Sequence, residues 1–174
     1  MKDIILSIAA DMIKKFNVYS QEEASSHESM LRGNQKKEVT EYTRGQKDAV
    51  LPYMFFLSKR CDCLKVVYDY DESFFRASLP ERFEEESEED ILKVISTLVD
   101  MMRKDFNDSS EEKYFSDKDV ESGNLDECVS SYYAGQMDAI KWVATIVQVH
   151  FNRLDLDYEF KGGHYEMITS VKEA

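Results

Sequence analysis

Carboxylates are the side chains whose number and spacing in this sequence could do chemistry. Glu81-x-x-x-Glu85 and Glu86-x-x-Glu89 put acids one helical turn apart, where two carboxylates can share a magnesium ion. Such a site also needs carboxylates converging from other elements and substrate phosphates among its ligands, and no cluster of Lys or Arg accompanies these acids. Asp69-x-Asp71-Glu72 and Asp155-x-Asp157-x-Glu159 are similar sets. The second alternates as a strand does, and it lacks the length and glycine of an EF-hand loop. Cys61, Cys63 and Cys128 with one of His27, His150 or His164 could make a zinc site. Cys-x-Cys without a second closely spaced ligand pair is poor zinc spacing, so these thiols read as buried or idle. An odd number of cysteines suits a reducing compartment better than a disulfide framework. No Gly-x-Ser-x-Gly, phosphate-binding loop or dinucleotide fingerprint occurs. The expectation is therefore no catalytic residue, no metal and no cofactor.

The most specific pattern is a duplicated one. Tyr42-Thr-Arg-Gly45-Gln46-Lys-Asp48-Ala49 and Tyr132-Tyr-Ala-Gly135-Gln136-Met-Asp138-Ala139 share five of eight residues at an offset of 90. Upstream, the stretch from Asp11 to Phe16 echoes that from Asp100 to Phe106. Downstream, Val66-x-Tyr68-x-Tyr70 echoes Leu154-x-Leu156-x-Tyr158. Three echoes in one order at nearly one offset argue for two copies of a unit. Within the motif, Tyr, Gly, Gln and Ala share a helix face. A glycine there costs a helix about 1 kcal/mol but admits a neighbour closely. The glutamines can then bond across that contact through both ends of the amide, and Asp48 and Asp138 fall to the flank. We read the motif as a repeated packing device.

Stepping outward, each motif needs a helix to carry it. Ile4, Ile5, Ile8, Met12, Ile13 and Phe16 mark one helical face, and Ile91, Ile95, Leu98, Met102 and Phe106 another. The stripes from Tyr42 to Leu57 and from Tyr132 to Val147 mark two more. Pro52 lies inside the first of these and can kink it. The period then changes to two: residues 154–160 and 164–171 flank Lys161-Gly162-Gly163 as a β-hairpin, with a shorter version at 64–70 and 74–79. Residues 18–37 and 107–126 read as long polar connections. The expected fold is α+β and mainly helical, with two tandem helix–helix–hairpin units, residues 1–80 and 81–174, related by a pseudo-twofold axis.

Charge narrows the function. The chain has 174 residues, 22 Lys+Arg against 35 Asp+Glu, and a net charge of −13. Residues 1–87 hold 13 basic and 16 acidic groups, and residues 88–174 hold 9 and 19. Nucleic-acid binders neutralise phosphates with Lys and Arg, so direct nucleic-acid binding is not expected, nor is docking on an anionic membrane. The longest apolar run, residues 50–57, is far short of the ~20 residues that span a bilayer, and the amphipathic, acid-bearing start does not read as a signal peptide. Basic proteins are the favoured partners, with self-association through apolar helix faces possible. Two acid-rich stretches offer contact surfaces: Glu84, Glu85, Glu86, Glu88, Glu89 and Asp90, and then Glu111, Glu112, Asp117, Asp119 and Glu121. Duplex DNA carries one charge per ~1.7 Å, a density that acids on successive turns and loops can approximate. The plainer alternative is a solvated face.

The segment carried by Tyr42, Gly45, Gln46, Asp48 and Ala49, and again by Tyr132, Gly135, Gln136, Asp138 and Ala139, resembles a helical segment of small proteins encoded by phages and other mobile elements. In size and charge the chain is similar to small acidic phage inhibitors, including many anti-CRISPR proteins. That resemblance implies a non-enzymatic inhibitor in the cytoplasm of a bacterial host. Its target would be a basic nucleic-acid-binding protein such as an RNA-guided nuclease, blocked by DNA mimicry or sterically. The alternatives are a helical scaffold or adaptor without mimicry, and a metal-dependent nucleotide phosphohydrolase.

Overall fold

The computed structural model describes residues 2–61, 65–69, 74–78 and 88–171. Its elements run α1 (Lys2–Leu31), α2 (Lys37–Cys61), β1 (Lys65–Asp69), β2 (Phe74–Ser78), α3 (Glu88–Glu121), α4 (Glu127–His150), β3 (Leu154–Lys161) and β4 (His164–Val171). The protein is mainly helical, with two antiparallel hairpins, β1–β2 and β3–β4. Among the described residues no helix is long and apolar enough to cross a membrane.

The four apolar stripes become one core. Phe16, Ile8 and Met12 of α1, Tyr53 and Leu57 of α2, Ile95, Leu98, Met102 and Phe106 of α3, and Ile140 and Val147 of α4 are essentially inaccessible to solvent. The most extensive helix contact is α2 on α4, followed by α3 on α4 and α1 on α2; β2 lies on α1 and β4 on α3.

The structure departs from the sequence reading at the two polar connections. Residues 18–31 continue α1, and residues 107–121 continue α3. The buried face of these extensions is lined by Ser20 and Ser26 in α1 and by Ser109, Ser110 and Ser116 in α3. Small hydroxyls extend the core stripe without a hydropathy signal. Ion pairs one turn apart, Lys104–Asp108 and Lys113–Asp117 at 2.5 Å each, support the outer face of α3.

The true interhelical turns are short. Gly33 and Gly123 take φ of 73° and 77°. The Gly33 and Asn34 amides donate to the Met30 and Ser29 carbonyls, and those of Gly123 and Asn124 to Val120 and Asp119. This left-handed glycine cap satisfies carbonyls that a helix end otherwise leaves open. At the next helix Asp126 caps α4 by accepting from the Cys128 amide at 3.0 Å. Pro52 is exposed and α2 continues through it.

Candidate functional site: the crossing of α2 and α4 and its flanking clefts

The duplicated motif sits where α2 meets α4. A Cβ added to Gly45 would lie 2.0 Å from the Tyr132 carbonyl oxygen, and one on Gly135 would lie 2.0 Å from that of Tyr42. The two backbones touch there, and only hydrogen fits between them. The Tyr42 hydroxyl donates to Asp138 Oδ2 at 2.7 Å and the Tyr132 hydroxyl to Asp48 Oδ2 at 3.2 Å. The bonds across the crossing thus run from tyrosine to aspartate. Gln46 and Gln136 do not span it as the sequence suggested. Each amide donates to the tyrosine one turn earlier in its own helix, at 3.4 and 3.2 Å, and Ser109 Oγ donates to Gln136 Oε1 at 3.0 Å.

Burial, reinforced by Asp138, pushes the Tyr42 hydroxyl up to about 12, and burial with Asp48 does the same for Tyr132. An unfolded tyrosine titrates near 10. The stability these hydroxyls contribute is complete below pH 10 and is lost as pH rises through about 12. Alkaline unfolding is therefore expected to steepen above pH 10, and Tyr42→Phe with Tyr132→Phe to flatten that limb in circular dichroism against pH. An unchanged alkaline limb contradicts the assignment.

The acidic residues distribute differently from the sequence reading. Glu84, Glu85 and Glu86 lie outside the described residues, and Glu88, Glu89 and Asp90 form the first turn of α3. Glu111, Glu112, Asp119 and Glu121 are exposed on the helical extension of α3, not on a loop. Asp117 is half-buried and already engaged by Lys113 and by the Ser130 hydroxyl. Burial alone would raise its carboxyl, and those two partners outweigh burial and hold it below the usual range.

Beside the crossing, a cleft of about 260 Å³ gathers Asp48, Asp105, Asp108 and Glu112 with Tyr53 and Tyr133 in its wall. Asp105 accepts from the Tyr53 hydroxyl at 3.0 Å, and Asp108 from Lys104 at 2.5 Å. No Lys or Arg lines this cleft among the described residues. Asp105 and Asp108 continue the acid-rich stretch of Glu111 and Glu112 along α3, whereas Tyr53 and Tyr133 come from α2 and α4 and no spacing rule joins them to it.

Glu38, Asp126 and Cys128 are the three groups among the described residues whose ligand atoms could share an ion, all within 4.8 Å. Burial and the neighbouring Asp126 push the Cys128 thiol up to about 11, and Asp126 is already the α4 cap. Cys61 ends α2, about 35 Å along the axis from Glu38 at 1.5 Å per residue, so Cys61 and Cys128 do not share a site. Cys63 lies outside the described residues. His27 is exposed, and His150 Nε2 lies 2.9 Å from Asp11.

Protein-family models, curated proteins and solved structures give no match to this chain.

Proposed function

We propose that the two halves are diverged copies of one helix–helix–hairpin unit, and that the second copy docks on a basic surface of another protein. The reading is a non-enzymatic inhibitor of a nucleic-acid-binding protein, with RNA-guided nucleases as the target class that the sequence resemblance implies. The observation that carries it is the cleft of Asp48, Asp105, Asp108 and Glu112, which no Lys or Arg lines among the described residues, with Lys104 on Asp108 and Lys47 3.7 Å from Asp48 as the cations nearby, and which opens beside the exposed acids of α3. The partly exposed Tyr133 ring in its wall suits a lysine or arginine side chain, which binds aromatic faces as well as carboxylates.

Magnitudes favour a block over a phosphate copy. Asp108, Glu111, Glu112, Asp119 and Glu121 are exposed along about 20 Å of α3. Duplex DNA carries roughly twelve phosphates over that length. The α3 acids reach less than half that density, so α3 acts as an acidic edge that fills a basic channel, not as a phosphate ladder.

The test uses purified RNA-guided nucleases and the variant Asp108→Asn/Glu111→Gln/Glu112→Gln. Three exposed charge pairs at about 0.5–1 kcal/mol each give a loss of roughly tenfold or more in affinity at low salt. The salt dependence should flatten, and target DNA should compete with the wild-type protein. Binding that is indifferent to salt and to these substitutions would favour the scaffold alternative.

A further inference from the structure

A second cleft lies between α3, α4 and the β3–β4 hairpin, with a volume of about 410 Å³. We infer that it binds a small aromatic anion, a planar ring carrying one negatively charged group. This goes beyond the docking reading and does not depend on it.

The cleft is built for a ring. Its floor is Ala134 and Met137, and its walls are Tyr114, Phe160 and Tyr165. Phe160 and Tyr165 meet edge to face at 5.1 Å and are both at least half exposed. Gly163, at φ 101°, lets the Tyr114 ring close over bare backbone: a Cβ there would lie 2.4 Å from the ring. A cavity of this size, aromatic-walled with a few polar groups, is the usual form of a small-molecule site.

The charges select the ligand's sign. The second half of the chain carries 9 basic groups against 19 acidic ones, yet Lys113 and Lys141 line this cleft and Lys118 sits over the Tyr114 ring at 4.1 Å. The two carboxylates that line it are already engaged. Asp117 is held by Lys113 and Ser130, and Asp138 accepts the Tyr42 hydroxyl. Lys141 Nζ forms a loose ion pair with Asp138 at 3.9 Å and lies 5.6 and 5.9 Å from the Phe106 and Tyr158 rings, and His164 Nε2 stands 4.0 Å from Glu166. An ammonium carries three N–H donors, so Lys141 keeps donors for an anionic group on a ring stacked against the walls.

The residues 90 positions earlier carry a different set of side chains. Arg44 corresponds to Ala134, Lys47 to Met137 and Glu23 to Lys113. Arg44 and Lys47 both bridge Glu23, at 3.3 and 2.6 Å. In the second half the two long cations are shortened to Ala and Met, the acid becomes a lysine, and Tyr114 stands where Ala24 stood.

The experiment is a titration of the full chain, followed by amide NMR, with four probes: adenosine 5′-monophosphate, 1-naphthoate, adenosine and inorganic phosphate. The expected result is saturable shifts at Tyr114, Gly163 and Tyr165 with one of the two aromatic anions, at a dissociation constant below about 1 mM. Adenosine and phosphate should be at least ~10-fold weaker, since each keeps only half of the recognition. Saturation by the monophosphate alone places the ligand among nucleotides, and by naphthoate alone among aryl acids. Lys113→Glu/Ala134→Arg/Met137→Lys restores the acid and both cations of the first half and should abolish the shifts. Lys141→Gln should lower affinity for the anions and leave that for adenosine unchanged. Thermal melts confirm that both variants fold. No saturable binding of either aromatic anion, phosphate binding as tightly as the monophosphate, or binding that survives the triple variant would overturn the inference.

Discussion

Gly45→Ala and Gly135→Ala are each expected to lower stability by at least about 3 kcal/mol, among the largest effects a single methyl group can have. In an ordinary helix the same change stabilises by about 1 kcal/mol, because alanine loses less backbone freedom than glycine. Here the new Cβ would fall 2.0 Å from a backbone carbonyl oxygen of the facing helix. A carbonyl cannot rotate aside as a side chain can, so α2 and α4 must separate. Separation removes the tyrosine–aspartate bonds on both sides and loosens the core between Ala49, Ala139 and Ile140. The two contacts are alike, so the two losses should be alike. Gly33→Ala and Gly123→Ala are the controls. Nothing lies within 4 Å of a Cβ at either position, and the strain of a positive φ alone costs roughly 1–2 kcal/mol. Urea midpoints of the four variants decide the matter. A gain in stability at 45 or 135 would mean that the helices do not cross there.

That crossing was legible in the sequence as a shared helix face, and the reason is physical. Gly, Tyr and Gln at helical spacing restrict what can approach, and the pattern occurs twice. The bonding partner was misread because Gln offers both donor and acceptor, whereas the observed acceptors are Asp48 and Asp138 on the flank. The hairpin β3–β4 was legible through strict alternation and Gly162-Gly163. The second halves of α1 and α3 were not. Their core positions are held by serines, so hydropathy falls silent while the helix continues. Gly33-Asn34 and Gly123-Asn124, 90 residues apart, mark where those helices end. The same misreading hides the aromatic cleft, since Tyr114 falls within residues 107–126, whose composition reads as a polar connection. It also placed Glu111, Glu112, Asp117, Asp119 and Glu121 on one polar connection, whereas α3 carries them around a helix and Asp117 is engaged by Lys113 and Ser130.

Replacing Asn107 and Ser110 together should detach the β3–β4 hairpin from α3. A two-stranded sheet has two open edges, and each edge amide needs an acceptor. On β4 the Met167 amide donates to Asn107 Oδ1 at 2.6 Å and the Tyr165 amide to Ser110 Oγ at 3.0 Å. Met167 is buried, so water does not replace the lost acceptor. Each orphaned amide costs about 1–3 kcal/mol, giving a loss of roughly 2–5 kcal/mol for Asn107→Ala/Ser110→Ala if the two add. Asn107→Asp keeps an acceptor oxygen and should cost far less than Asn107→Ala, which separates the hydrogen bond from simple packing. Amide exchange at Tyr165 and Met167 should accelerate in the double variant more than exchange in α2 and α4. Equal losses for Asn107→Asp and Asn107→Ala, or unchanged exchange on β4, would show that the hairpin is held by its apolar face alone. The positions matching Asn107 and Ser110 in α1 are Asn17 and Ser20, and β2 lies on α1 as β4 lies on α3. A helix that supplies Asn and Ser to a strand edge at this spacing thus specifies the hairpin's seat, and on the second half that seat sets the position of Tyr165 in the cleft wall.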